Sequence, residues 1–434
     1  MTENQHGGSL FQQAFDEVAA DVKPVLDGNE SYRRWRILDR LSEPDRVLGF
    51  TVRWTNDKGE VEQNRAWRVQ YCNALGPYKG GLRFHPSVNE DTLRFLGFEQ
   101  CFKNALTGLP MGGGKGGSDF NPKGRSEHEI MRFCHAFMDE YHRYGGEDID
   151  VPAGDIGVGG REVGFLFGRW LRLTSRHTAT LTGRSLEQFG IKGRTEATGY
   201  GTVEFARLML DTKDETLEGK RVLISGAGNV AQYAAERSIE LGAQVLTLSN
   251  SEGTAHFPEG LTQSMLETIQ DARNQGRRLK DIAGDLDGMK FEASSKPWGT
   301  ACDVALPCAT QNELDGDEAK TLLDNGCTAI AEGANMPSTT EAVHLFREKK
   351  VLYGPGKAAN AGGVAVSGLE MAQAAQRIPW TREQTIDKLY DIMRTIHDQC
   401  AEHGGSGDAI DYVKGANIAG FRRVADSLIT GGVG

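Results

Sequence analysis

The run Gly226-Ala227-Gly228-Asn229-Val230-Ala231 constrains the fold more than any other feature, because of what stands on either side of it. Residues 220–225 before it form a short apolar, β-branched stretch, and 231–241 after it are helix-forming. The first glycine permits a tight turn, the second lets a ligand approach the backbone, and Ala231 is small enough for close helix–strand packing. The start of the helix then offers free N–H groups and the positive end of its dipole to an anion. Strand, glycine turn and helix in that order predict a dinucleotide-binding crossover. A second strand is expected at 244–248, with further short apolar runs at 304–306, 328–331 and 351–353. Strands alternating with helices predict a Rossmann-like, doubly wound parallel sheet over residues 197–362.

The tip of the second strand bears on the choice of dinucleotide. An acid there would bond a ribose 2′-hydroxyl and repel a 2′-phosphate. Here it reads Ser249-Asn250-Ser251, uncharged, with Glu252 beyond and Arg277 and Arg278 within possible reach. NADP is the expectation, and Glu252 keeps NAD possible.

Residues 1–196 have another character. Helices are expected at 11–26 and 31–41. Residues 47–54 and 61–71 alternate apolar and polar across Asn56-Asp57-Lys58-Gly59, a hairpin signal. Helices at 90–106, 127–144 and 161–173 follow, so this part is expected to be an α/β domain of mixed sheet. Residues 363–434 are again helical, at 381–402 and 412–428.

Fifty-five of the 434 residues are glycine, against a typical share of about 7%. The excess is concentrated, as expected where backbone approaches a ligand or turns with positive φ. Three dense segments, read as loops, carry charges: Gly76-Pro77-Tyr78-Lys79-Gly80-Gly81, Met111-Gly112-Gly113-Gly114-Lys115-Gly116-Gly117 and Pro152-Ala153-Gly154-Asp155. A lone lysine is ordinarily a solvated surface residue. Lys115, walled by glycines, can instead lie against backbone, lose solvation and gain a lowered pKa, which makes it a base or nucleophile. Asp155 would be its proton partner, and Lys103 with Gln100 lies just before the second segment.

Other chemistries find little support. His128-Glu129 lacks a second histidine at helical spacing, there is no G-x-S-x-G elbow, and the lysine of the glycine run is not followed by the hydroxyl of a phosphate loop. No metal site is expected. A net charge of −11 and the acidic neighbours of the arginine clusters argue against nucleic acid. No apolar run is long enough for a membrane span. The polar residues 1–8 carry no secretion pattern. Seven scattered cysteines without a C-x-x-C pair fit reduced thiols in the cytoplasm.

Seven long motifs spread along nearly the whole chain resemble the glutamate dehydrogenase family, in its small hexameric bacterial type. They are 76–88 (GPYKGGLRFHPSV), 97–118 (GFEQCFKNALTGLPMGGGKGGS), 150–163 (DVPAGDIGVGGREV), 196–201 (EATGYG), 306–314 (LPCATQNEL), 331–336 (AEGANM) and 355–373 (PGKAANAGGVAVSGLEMAQ). The resemblance implies that Lys115 activates water and that Asp155 moves protons at the amino nitrogen. It implies that Lys103, Gln100 and Gly154 hold an α-carboxylate, while Lys79 and Ser367, with Gly80 and Val364, take a side-chain carboxylate. Arg194, Thr198, Gly226, Gly228, Asn229, Val230, Ser249, Asn250, Ser251, Thr310, Asn335 and Asn360 would serve the cofactor. The implied substrates are glutamate, 2-oxoglutarate and ammonium, and the implied assembly is a homohexamer. The substrate domain would be discontinuous, with residues 363–434 returning to it. Two rival readings remain at this point. A leucine- or phenylalanine-type dehydrogenase would carry apolar residues at Lys79 and Ser367, and a non-catalytic dinucleotide-binding regulator would lack one of Lys115, Asp155 or Lys103.

Overall fold

The computed structural model describes residues 10–405 and 410–432, so the polar start at 1–8 lies outside the described residues. The chain divides into two compact units. One comprises residues 1–192, 365–385 and 417–434, and the other 193–364 and 386–416.

The first unit runs α1 (Leu10–Gly28), β1 (Arg46–Thr55), β2 (Val61–Cys72), β3 (Tyr78–Phe84), α2 (Glu90–Leu106), β4 (Gly113–Ser118), α3 (Glu127–Tyr141), β5 (Asp150–Gly154) and α4 (Gly160–Thr174). Its sheet has the order β1-β2-β4-β3-β5. The β1–β2 and β2–β4 pairs are antiparallel, and β4–β3 and β3–β5 are parallel, giving the expected mixed sheet. The β1–β2 hairpin turns where its sequence implies. Asn56 Oδ1 accepts the N–H groups of Lys58 and Glu60, and Gly59 takes φ +79°. An aromatic core lies on one face, with Phe120 and Phe133 stacked at 3.8 Å and Trp54, Phe84 and Phe137 around them.

Two expectations for this unit are corrected. The helix expected at 31–41 is two short ones, Glu30–Arg34 and Ile37–Leu41, because Arg36 adopts a left-handed conformation at φ 48°. More consequentially, the three glycine-dense segments are not loops; they form β3, β4 and β5. Their glycines answer close approach. A Cβ on Gly80 would lie 1.7 Å from the Gly114 carbonyl oxygen, one on Gly113 2.0 Å from Cys101 Sγ in α2, and one on Gly117 2.2 Å from the Arg83 carbonyl oxygen. Glycine disfavours strands, so composition alone suggests loops; tertiary packing overrides it.

The second unit contains α5 (Ala197–Asp211), β6 (Arg221–Ile224), α6 (Asn229–Glu240), β7 (Gln244–Asn250), β8 (Gly253–His256), β9 (Lys290–Ala293), β10 (Val304–Leu306), β11 (Ala329–Ala331) and β12 (Leu352–Gly354). The order is β12-β11-β10-β6-β7-β8-β9. The strands from β12 to β7 are parallel, and β8 and β9 extend the sheet antiparallel. Winding reverses between β6 and β10, so the glycine turn after β6 stands at the topological switch point, where open α/β sheets bind ligands.

Three helices end the chain, α7 (Gly362–Gln376), α8 (Arg382–Gly404) and α9 (Tyr412–Gly431). Residues 417–434 lie with the first unit, where Arg423 donates to the carbonyls of Ala105 and Gly108 at the end of α2. Residues 386–416 do not, contrary to the expectation for 363–434 as a block. They pack on the second unit: His397 meets the ring of Phe205, and Met393 lies against Gly201. The apolar face of α8 is complementary to α5, which no motif in α8 announces.

Gly117→Ala should lower the free energy of unfolding by about 1–3 kcal/mol, since the added methyl meets backbone. Gly168→Ala in α4, where a Cβ meets nothing within 4 Å, should leave it unchanged or raise it by up to about 1 kcal/mol. Urea denaturation of both variants checks the contrast.

Candidate active site

The adjacent strands β3, β4 and β5 bring charged residues of the first unit together. Lys115 projects from β4, and Asp155 follows the last residue of β5. The Lys115 ammonium donates to Asp155 Oδ1 at 2.9 Å, and Arg83 Nε donates to Asp155 Oδ2 at 2.7 Å. Lys115 is only 5% exposed. Burial, the largest influence, lowers its pKa; Asp155 pulls it back, and Arg83 and Arg68 oppose its charge, leaving it below the ordinary 10.5. Burial disfavours an ionised Asp155, but Lys115 and Arg83 together outweigh it and hold the carboxyl at about 2.

Beneath this pair lies a second buried ion pair. Arg68 on β2 grips Asp150 at the start of β5, with Nε 2.9 Å from Oδ2 and a second nitrogen on Oδ1. The same guanidinium donates to the Gly80 carbonyl at 3.1 Å, and Gln70 donates to Asp150 Oδ2 at 2.9 Å. Removing one partner would strand a buried charge, so the pair fixes β2, β3 and β5 together.

Six of the seven other expected substrate residues belong to the same unit. Lys79 is buried on β3, beside Gly80. Gln100 and Lys103 lie on α2, and Gln100 Cγ stands 3.2 Å from where a Cβ on Gly80 would be. Gln100 donates to Asn104 Oδ1 at 2.7 Å, and Asn104 donates to the carbonyls of Lys79 (3.1 Å) and Gly112 (2.6 Å). Gly154 ends β5. Ser367 is buried on α7 in the first unit, whereas Val364, one turn earlier, belongs to the second. Three participants escaped the sequence reading. Arg83 stands four residues after Lys79 in the same motif, a usable signal; Arg68 and Asn104 carry none, because only strand and helix pairing brings them in.

In the second unit, Gly226 turns at φ +86°, its N–H donates to Ser249 Oγ at 3.0 Å, and Asn229 begins α6. Gly226, Gly228, Ser249, Asn250, Ser251 and Thr310 line a cavity of about 830 Å³ together with Arg273, Arg277 and Arg278. Asn229 borders it, its Oδ1 accepting from Arg273 at 2.6 Å, and Val230 follows in the first turn of α6. Glu252 is engaged by Arg278 at 3.2 Å and Lys280 at 2.6 Å. Its charge is thereby offset by two cations. The remaining expected residues form a separate group in this unit. Asn360 donates to Asn335 Oδ1 at 3.2 Å, and Arg194 and Thr198 flank Gly363. Glycine turn, helix start, polar strand tip and three arginines fit a dinucleotide carrying a 2′-phosphate.

Among the described residues no group of three or more His, Cys, Asp or Glu side chains could hold a metal ion, and no helix is long and apolar enough to cross a membrane.

Two family models match the chain. The family model described as Glutamate/Leucine/Phenylalanine/Valine dehydrogenase matches residues 190–432, and that described as Glu/Leu/Phe/Val dehydrogenase, dimerisation domain, matches residues 44–172. The chain is 54% identical to the NADP-specific glutamate dehydrogenase of Escherichia coli K12, covering 98% of this chain and 95% of that one. It is 51% identical to the NAD-specific glutamate dehydrogenase of Bacteroides fragilis, covering 98% and 96%. The crystal structure of Plasmodium falciparum glutamate dehydrogenase superposes with a TM-score of 0.95 at 48% identity, over 98% of this chain and 91% of that chain.

The charges around Lys115 set a direction for its titration. Asp155→Asn removes the group that favours the ammonium and should move the Lys115 pKa further down. Arg83→Met removes a cation and should move it up. The pH dependence of Lys115 acylation by an amine-reactive reagent, read by peptide mass spectrometry, measures both shifts.

Proposed function

The chain belongs to the Glutamate/Leucine/Phenylalanine/Valine dehydrogenase family, and we propose that it is an NADP-dependent glutamate dehydrogenase. The reaction is L-glutamate + water + NADP+ giving 2-oxoglutarate + ammonium + NADPH + H+. The observation that carries this reading is the buried Lys115–Asp155 hydrogen bond among glycine strands, together with the buried polar pair Lys79 and Ser367.

Lys103, Gln100 and Gly154 hold the α-carboxylate. Lys79 and Ser367, with Gly80 and Val364, take the side-chain carboxylate. Clamping both ends fixes the α-carbon, and orientation of this kind is a large part of the barrier reduction. A bound nicotinamide supplies the hydride acceptor for the α-hydrogen, held through the 226–231 turn, residues 249–251 and Thr310, with Arg194, Thr198, Asn335 and Asn360 assigned by resemblance. Asp155 takes the proton leaving the amino nitrogen. Lys115, in its neutral form, draws a proton from the water that attacks the substrate iminium carbon, and its ammonium form then stabilises the carbinolamine. Once Lys115 is neutral, Asp155 loses one of its two counter-charges and its proton affinity rises, so the pair exchanges a proton as one unit.

Preference for a dicarboxylic substrate follows from Lys79 and Ser367, which an aliphatic side chain would leave without a substrate hydrogen bond. Preference for NADP is supported by the uncharged 249–251 tip and by the engagement of Glu252 with Arg278 and Lys280. The same reading makes the protein a cytoplasmic homohexamer: its seven cysteines are buried and free of disulfides, the dimerisation-domain match supports self-association, and the number of subunits comes from the family resemblance.

Initial rates of 2-oxoglutarate amination should be faster with NADPH than with NADH. Equal or faster turnover with NADH overturns the cofactor assignment, and no turnover with either overturns the reaction. Lys79→Leu should lower kcat/KM for glutamate by about a hundredfold, the equivalent of a lost charge-assisted hydrogen bond, and raise it for norleucine. Unaltered glutamate activity would mean that the side-chain pocket lies elsewhere.

A further inference from the structure

The buried face of α7 carries Ser367, Glu370 and Gln373 at successive spacings of three, and all three are buried. Residues three apart on a helix are neighbours on its surface. Only Ser367 enters the proposed site, so the two polar residues beyond it need another explanation.

Glu370 closes on the segment that follows α4. One carboxylate oxygen accepts the Gly183 N–H at 2.9 Å and the other the Arg184 N–H at 3.2 Å. Arg184 Nε stands 3.5 Å from Oε1, with neither side chain exposed. Its guanidinium lies over the Phe167 ring at 4.7 Å and donates to the Thr178 carbonyl at 3.3 Å. Gln373 continues the seam, donating to the Phe189 carbonyl at 3.2 Å and accepting the Trp380 N–H at 3.0 Å. On its other side the same segment reaches the site. The Thr182 N–H donates to the Pro152 carbonyl in β5 at 3.1 Å, three residues before Asp155. Helix α7 is also seated from its Gly368 side. A Cβ there would lie 2.5 Å from Leu109 Cδ1 and 3.1 Å from Met111, residues that lead into Gly112, whose carbonyl shares the Asn104 amide with that of Lys79.

From this chain of contacts we infer that Glu370 is a positioning residue for substrate selection: through Gly183 and Arg184 it ties α7 to β5, and so sets Ser367 relative to Lys79 and Asp155. The inference rests on the proposed pocket for the side-chain carboxylate. A carboxylate accepting two backbone N–H groups and facing a guanidinium cannot turn without losing all three, so the helix is held in rotation as well as position. Ser367 lies one turn earlier, and a small rotation of α7 displaces its hydroxyl by a comparable amount. Displacements of this size alter substrate binding severely.

The test compares Glu370→Gln with the charge-neutral pair Arg184→Met/Glu370→Gln, which leaves no buried guanidinium uncompensated, and with Glu370→Asp. Steady-state kinetics on the full enzyme should show KM for glutamate raised about tenfold in the first two, with kcat within about threefold of the parent. The preference for glutamate over norvaline should fall by the same factor, KM for NADPH should stay within about twofold, and Glu370→Asp should recover part of the loss. A folded pair variant with unchanged KM and preference overturns the inference. So does an equal loss of kcat on both amino acids, or a pair variant that fails to fold, since either makes Glu370 a determinant of stability alone. Lys79→Leu distinguishes the levels: if it leaves substrate preference unaltered the pocket itself is misplaced, whereas altered preference there with none in the Glu370 variants removes only the positioning role.

Discussion

The close approach of backbone to backbone at β3 and β4 is the constraint on which the first unit depends. Gly80 stands against the carbonyl of Gly114, Gly117 against that of Arg83, and Gly113 against Cys101 of α2, each at a separation that excludes a side chain. Because the strands and α2 lie so near, Lys115 meets Asp155 in a space that admits little water. Larger residues at these positions would spread the sheet, and a spread of about an ångström would break the 2.9 Å hydrogen bond.

The electrostatics of that space follow from the same packing. Two cations, Lys115 and Arg83, share one carboxylate, while Arg68 is committed to Asp150 underneath. The lowered pKa of Lys115 is therefore mainly an effect of burial, which neighbouring arginines reinforce and Asp155 limits. An anionic substrate enters a region where positive charge is in excess locally, although the chain as a whole carries a net charge of −11. Overall charge reports on solubility and its neighbours, not on the site.

Legibility in the sequence varied with the range of the interaction. The 226–231 turn was legible because strand, glycine and helix are contiguous, and the observed Gly226 φ and Ser249 contact match that local logic. The β1–β2 hairpin was legible for the same reason. The strands that carry Lys79 and Lys115 and the one that leads into Asp155 were misread as loops, since glycine content signals flexibility unless the partner surface is known. Arg36 broke an expected helix without a local breaker, and the docking of 386–416 on the second unit depended on a complementary face far away in sequence. Long motifs pointed to the family and to most of the proposed site residues, yet not to Arg68, Asn104 or the Glu370 seam.

The sequence by itself determined the two α/β units, the dinucleotide turn at the switch point, the lysines and aspartate proposed to carry the chemistry, and the family to which the chain belongs. Only the tertiary structure decided that the glycine segments are strands, that Arg83 and Lys115 share Asp155, and that Glu370 joins α7 to β5. The division has a physical basis. Turns, caps and helices are set by neighbours a few residues apart, which a sequence displays. Burial, charge compensation and close backbone contact arise between segments tens to hundreds of residues apart, and those exist only once the chain has folded.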